Sequence, residues 1–284
     1  MDLISFARAH GIIMDRMPEI GVWRRFKTID HPKKRNGAVK FMGTHAFVQN
    51  HATDTKVSVW KPDGAQADER EFRRMIEQSE RVKREAQARA AAKAKQIIKE
   101  CVISGHPYLE TKGFKDDYGL TYRTDGKLLL VVPMWVGSEV VGCQLIDEQG
   151  EKRFLFGQRT AGAAHIIDSK GPTILCEGYA TGLSVQAALK KLNRPYRIFV
   201  CFSAGNMLKV SQSAPEGLVI ADNDRSGTGQ RTANEIGWKY WLSDIEGEDA
   251  NDAHKRLGLF RFSQSLYGGK NLNVPAPEGL HARG

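Results

Sequence analysis

"VIADNDRSGTGQ", residues 219–230, is the stretch on which the fold turns. Val219, Ile220 and Ala221 have the apolar character of a buried strand, and Asp222 and Asp224 follow before a glycine-bearing turn. Side chains alternate along a strand, so residues i and i+2 point the same way. Two carboxylates held side by side repel one another unless something positive lies between them. The stretch therefore predicts a buried strand whose end demands a cation.

The neighbouring segments say what kind of sheet this strand enters. "PTILCEG" (172–178) reads as a strand and "TGLSVQAALKKL" (181–192) as a helix. "RIFVCFSAG" (197–205) and "EGLVIADND" (216–224) read as strands, and "GQRTANEIGWKYW" (229–241) as a helix. Strands separated by helices of this length predict a parallel sheet with right-handed crossovers. In such sheets functional groups gather at the carboxyl ends of the strands. Glu177 and the Asp222/Asp224 pair both fall at strand ends, and "IEGEDANDAHK" (245–255) adds Glu248, Asp249 and Asp252. An all-carboxylate rim suits Mg²⁺ or Mn²⁺, and such ions support in-line phosphoryl transfer.

Rival readings of the acidic pair are weaker. An EF-hand loop starting at Asp222 would need a bidentate Glu at its twelfth position, where Ala233 stands. A haloacid-dehalogenase-type phosphatase carries its DxD on the first strand of the fold, whereas here a strand–helix unit with its own glutamate precedes it. The plainest alternative is that the Asp-Asn-Asp run caps a helix through an Asx turn. No GxxxxGK[ST] occurs, so no nucleotide-driven motor is encoded.

Upstream, "GKLLLVVPMWV" (126–136) and "EVVGCQLID" (139–147) look like a hairpin followed by the strand "KRFLFG". Residues 66–100 lack Gly and Pro and are rich in Ala, Glu, Lys, Arg and Gln, which predicts a long helix. Its thin apolar stripe (Phe72, Met75, Ile76, Val82) marks a connector more than a core element. Residues 1–64 read as a short amphipathic helix and a small β-rich unit. Residues 259–284, with much Gly, Pro and polar sequence, read as a flexible tail that docks a partner such as a replicative helicase.

Together "TILCEGYATGLSVQAAL", "FVCFSAGNM" and "GLVIADNDRSGTGQRTANEI" resemble the Toprim domain of phage and plasmid DNA primases. The likeness covers roughly residues 170–255, and the preceding "HPYLETKGF…EKRFLFGQRTAG" is similar to the segment ahead of Toprim in those enzymes. It implies a Rossmann-like, mostly parallel α/β sheet (169–258), preceded by a mixed, basic, strand-rich segment (101–168) and a long helical connector (65–100). By position, Glu177, Asp222 and Asp224 become the catalytic and metal-holding acids, with Asp252 a further ligand. Ser203 and Asn206 lie in the family's "SAGN" turn and become nucleotide contacts. Lys152, Arg153 and Arg159 become contacts to template or triphosphate. Many such primases begin with a zinc ribbon. Residues 1–64 hold no Cys, and His10, His31, His45 and His51 form no paired ligand pattern, so no zinc is expected and the unit resembles a degenerate ribbon. The chain stops soon after the Toprim-like stretch, which gives the expectation of a stand-alone primase without a helicase.

The bulk numbers agree with such an assignment. With 284 residues, 41% hydrophobic and 26% charged, the chain is an ordinary globular sequence with ample core. It has no membrane-length apolar run and no secretory signal, so a cytoplasmic protein of a bacterial or phage-infected cell is expected. Four scattered cysteines without a CxxC pair suggest reduced thiols. A net charge of +9 favours a polyanionic partner. Basic clusters interleaved with aromatics, Trp23, Arg24, Arg25 and Phe26 in "GVWRRFKT", with Lys33, Lys34 and Arg35 nearby and Trp60 further on, suit single-stranded DNA. The expected activity is RNA primer synthesis from ribonucleoside triphosphates on a single-stranded DNA template. A Toprim-type nuclease, or a non-catalytic single-strand-binding factor, is the alternative; a topoisomerase would need a larger tyrosine-bearing domain.

Overall fold

Period-two burial builds the first of two units, residues 1–85 and 86–284. The structure, a computed structural model, describes residues 1–54, 56–62, 69–268 and 270–275. In the first unit, α1 (Leu3–Ala9) opens on Asp2, whose carboxylate accepts the Ser5 N–H at 2.8 Å. Five strands follow: β1 (Ile12–Ile13), β2 (Trp23–Thr28), β3 (Gly37–Phe41), β4 (Ala46–Asn50) and β5 (Ser58–Trp60). They form an antiparallel sheet in chain order. Alternate residues face inward, so Phe26, Val39 and Val48 pack with Leu3, Ala7 and Ile12.

The long helix α2 runs Glu69–Glu100 over 32 residues, about 48 Å at 1.5 Å per residue. The side chains of Phe72, Met75 and Ile76 lie outside the described residues. At its carboxyl end the helix is core and not a spacer. Ala90, Ala94 and Ile97 recur on one face and are buried, and the last two pack on Val131, Val140 and Cys143 of the second sheet. That sheet is antiparallel and holds β6 (Val102–Ser104), β7 (Gly119–Thr124), β8 (Lys127–Val136), β9 (Glu139–Ile146) and β10 (Lys152–Phe154), with α3 (Pro107–Thr111) after β6. β10 forms one edge and β6 the other.

The third sheet alternates with helices. Its strands are β11 (His165–Asp168), β12 (Thr173–Cys176), β13 (Arg197–Val200), β14 (Leu218–Ala221), β15 (Lys239–Leu242) and β16 (Leu272–Asn273). Its helices are α4 (Tyr179–Lys191), α5 (Ala204–Ser211), α6 (Thr228–Ile236), α7 (Ala250–Leu257) and α8 (Leu259–Ser265). The spatial order is β11-β13-β12-β14-β15-β16, with the inner four strands parallel and both edges antiparallel. Its central strands β12 and β14 are covered on both faces, so they are buried almost throughout and neighbouring residues serve opposite layers. Ile174, Cys176 and Ile220 pack with α4, α7 and α8, whereas Leu175, Val219 and Ala221 pack with α5 and α6.

Two expectations need correction here. The helix read over 229–241 ends at Ile236 because Gly237, at φ +80°, closes it in the left-handed region, and Lys239–Leu242 is a strand. Residues 259–268 and 270–275 are not a flexible tail. Phe262 and Leu266 are buried in the third-sheet core, and β16 pairs with β15; residues 276–284 lie outside the described residues. Among the described residues no helix is long and apolar enough to cross a membrane.

Phe262→Ala should therefore destabilise the chain by about 3–5 kcal/mol, the usual cost of emptying a buried phenylalanine site. A denaturant titration showing an unchanged midpoint would mean that α8 is dispensable to the core.

Candidate functional site

Two adjacent parallel strands carry the site. β12 and β14 pair with Cys176 opposite Ile220, so Glu177 and Asp222 are the first and second residues past the last such pair. Neighbouring strands lie roughly 4.8 Å apart, which brings both acids to one end of the sheet. Glu177 precedes Gly178, the residue that opens α4. Its carboxyl is pushed up from its ordinary value by burial and by Asp224, while an N–H bond from Ala204 and the Lys152 charge oppose the rise. The Glu177 carbonyl accepts the Phe202 N–H at 2.8 Å, and Phe202 holds φ +67°, a left-handed conformation that non-glycine residues adopt at a cost. This turn starts α5 directly under the acid.

Asp222 is the most perturbed of the acids. Burial first, then Asp249, Glu177 and Asp224, push its carboxyl up to about 7, with only Lys152 opposing. Its Oδ1 is sealed from solvent and has no hydrogen-bond partner among the described residues. Such an orphaned carboxylate oxygen is costly unless a cation or proton completes it. Gly229 is required beside it, because a Cβ there would run into the Asp222 main chain.

Asp224 does two things at once. Its carboxylate accepts the Ser226 hydroxyl and the Gly229 N–H (3.1 Å), holding the start of α6, and these bonds keep its pKa below the ordinary value. The Asx-turn reading of the Asp-Asn-Asp run thus describes Asp224, while Asp222 caps nothing. Asn223, between them, donates to the Ser243 carbonyl at 2.9 Å and exchanges main-chain bonds with Gly247 and Glu248. It ties the 243–248 loop to the rim, a role the sequence reading did not assign.

From α7 the acid that reaches Asp222 is Asp249. Its carboxylate caps the helix by accepting the Asp252 N–H at 2.8 Å, and its charge acts on Asp222, Lys152 and Tyr108. Asp252 takes part through its backbone N–H, as the residue that Asp249 caps. Glu248 is held elsewhere, paired with Arg256 at 2.7 Å, and Arg256 also bonds Asp244. Opposite the acids stands Lys152 on β10. Burial and Lys112 lower its pKa, against the pull of Asp249, Asp222 and Glu177. Its ammonium lies 5.9 Å from the Tyr108 ring centre.

The remaining sequence-predicted residues divide into engaged and open groups. Asn206 is fully occupied: its amide donates to the Ala163 and Cys201 carbonyls and accepts the Gly162 N–H. Ser203 is the cap of α5, accepting the Asn206 N–H. Arg153 pairs with Glu151 at 2.8 Å, and Arg159 donates to the Ala161 carbonyl, both at the surface. In the first unit, Trp23 and Arg25 project from the exposed face of β2, and Arg24 is half-buried. They border a cavity of about 510 Å³ shared with Arg16, Lys27 and Arg35. Lys33 and Lys34 stand exposed in the loop between β2 and β3. Two expected stacking residues are not available. Phe26 is buried in the core, and Trp60 packs against that core while donating to the Met1 carbonyl.

Whether this acidic set fits a divalent ion can be judged from its donors. Among the described residues no group of three or more His, Cys, Asp and Glu side chains is arranged to hold a metal. Mg²⁺ does not require one, since it keeps several waters and typically binds one or two carboxylates together with substrate phosphates. An orphaned Asp222 oxygen among mutually repelling carboxylates meets that smaller requirement.

No family model matches the chain, and no curated protein matches it. Among solved structures, a chain from a complex of bacteriophage T7 lagging-strand DNA polymerase with primase domains, bound to an RNA/DNA hybrid and dTTP, is similar at 13% identity and a TM-score of 0.41. The match covers 57% of this chain and 86% of that one. A DNA primase domain from Pseudomonas aeruginosa is similar at 15% identity and a TM-score of 0.36, covering 64% of this chain and 60% of that one. With TM-scores below 0.5, neither likeness defines the fold, which stands on the strand order described above.

Asp222 also makes a stability prediction. With a folded pKa of about 7 against an ordinary 3.8, the folded chain holds this proton across that window and the unfolded chain does not. The contribution is fully present below about pH 4 and is lost as pH rises through 7. The stability difference between Asp222→Asn and the parent should therefore swing toward the variant between pH 5 and pH 8. A difference that stays flat with pH would remove the buried, repelled carboxyl from the account.

Proposed function

We propose that the chain is a Toprim-type DNA primase, a template-directed nucleotidyl transferase that makes short RNA on single-stranded DNA. The observation that carries this reading is the placement of Glu177 and Asp222 at the same end of adjacent parallel strands, with the Asp222 oxygen unpartnered. The motif resemblance over residues 170–255 supports it, as does the net charge of +9.

Asp222 and Asp224 would hold Mg²⁺ or Mn²⁺, with Glu177 and Asp249 completing the negative field. The bound ion would supply charge neutralisation at the triphosphate and a more acidic attacking hydroxyl. The chain's own residues do the remainder. Glu177, with its raised pKa, is suited to accept the proton of the attacking 3′-hydroxyl. Lys152, placed over the acids and set against Lys112, is suited to a triphosphate oxygen. In the first unit, Trp23, Arg25 and Lys27 share one face of β2, a pattern that suits phosphate contact and base stacking. A replicative helicase remains a proposed partner, without a defined docking surface.

The test is one incubation with single-stranded DNA, ribonucleoside triphosphates and Mg²⁺ or Mn²⁺. A primase makes short RNA, a nuclease shortens the DNA, and a binding factor does neither. The Asp222→Asn/Asp224→Asn double variant should lose primer synthesis by at least about a hundredfold while keeping most DNA affinity. Undiminished ribonucleotide incorporation by that variant would refute the assignment of these acids.

A further inference from the structure

Phe156 is 99% exposed, and among the described residues no large apolar side chain is more so. The turn that carries it is fixed and not loose. The Gln158 side-chain oxygen accepts the N–H groups of Cys143 (3.1 Å) and Leu155 (3.2 Å), and the Gln158 N–H donates to the Leu155 carbonyl. Gly157, at φ +75°, sits against Ala86 of α2. The turn therefore holds the exposed ring in a defined place.

The ring continues a line. Lys152 and Phe154 share one face of β10, about 6.6 Å apart at 3.3 Å per residue. Phe154 is 43% exposed and stands edge-on to Phe202, ring centres 6.0 Å apart, whose N–H is bonded to the Glu177 carbonyl. Along β10 and its turn, then, the chain sets a cation facing the acids, a half-exposed ring, and a fully exposed ring. Arg159 follows the rings in the same stretch and is exposed, while Arg153, one residue out of phase with Lys152 and Phe154, faces the other side of β10.

We infer that the β10 edge is a track for single-stranded DNA, in which Phe154 and Phe156 stack bases and Lys152 and Arg159 hold the adjoining phosphates. Charge selects this occupant over an apolar protein partner, because the stretch that carries the rings, residues 151–159, holds three cations and one acid. The direction of the track, toward Lys152 and the acidic rim, rests on the primase reading; the binding itself does not.

The experiment uses the full chain and a short single-stranded DNA oligomer, with affinity measured across a salt series. Phe156→Ala should weaken binding by roughly 5- to 150-fold, the range for losing one stacked base, with the salt slope unchanged. Arg159→Ala should instead reduce the slope by about 0.7, the value for one single-strand phosphate. An oligomer carrying a photoreactive uracil should crosslink within residues 153–159. Because the Phe156 ring touches solvent alone, its removal should leave the unfolding midpoint in place. Parental affinity in Phe156→Ala overturns the track, and so does a parent chain that binds no single strand. A parent that makes no primer yet loses affinity through Phe156→Ala sinks the primase reading and leaves the track standing.

Discussion

The parallel pairing of β12 with β14 is the constraint on which the rest depends. Its register, Cys176 against Ile220, decides which residues emerge together at the carboxyl end. A slip of one residue would exchange the two covered faces, moving Ile220 toward α5 and α6 and Val219 toward α4. Because both faces are buried, such a slip is opposed by every apolar side chain in the sheet. The core therefore enforces a close approach of like charges that the acids alone would resist.

What results is a site built around an electrostatic debt. Asp222 is half-buried, with one oxygen sealed from solvent, and feels three other carboxylates; the chain offers Lys152 as the countercharge acting on it. Asp224 is satisfied by α6, and Glu177 is partly satisfied by the start of α5. The unmet demand is thus concentrated on one oxygen. Stability and activity pull apart at that position, since neutralising the carboxyl relieves the fold while removing what would attract a cation.

Much of this was legible because apolar runs and helical segments alternate plainly after residue 169, so the positions of Glu177 and Asp222 at strand ends followed from pattern. Details decided by a single residue's geometry were harder. Asp249, and not Asp252, faces Asp222 because α7 begins at Ala250, and the sequence alone does not fix that boundary. Phe26 looked available for stacking, but strand parity sends it inward while Trp23 and Arg25 go outward. The segment after residue 258 reads as a tail because its glycines, prolines and polar residues mask Phe262 and Leu266, whose spacing of four is that of a buried helix face. Asn206 sat in a motif that pointed to a ligand, whereas its amide is consumed by the Gly162–Ala163 loop and the end of β13.

The exposed edge of the second sheet carries a separate implication for the solution behaviour of the protein. β10 leaves one side of its backbone unpaired, next to two bare phenylalanine rings, which is the arrangement that invites one copy to add its strand to another. Lys152 and Arg153 sit on that strand, where like charges on two copies oppose such pairing. Colloidal behaviour and nucleic-acid affinity are consequently vested in the same few cations. Polyanions should act on this protein as solubility modulators as well as ligands, and stripping those charges invites self-association through the strand they guard.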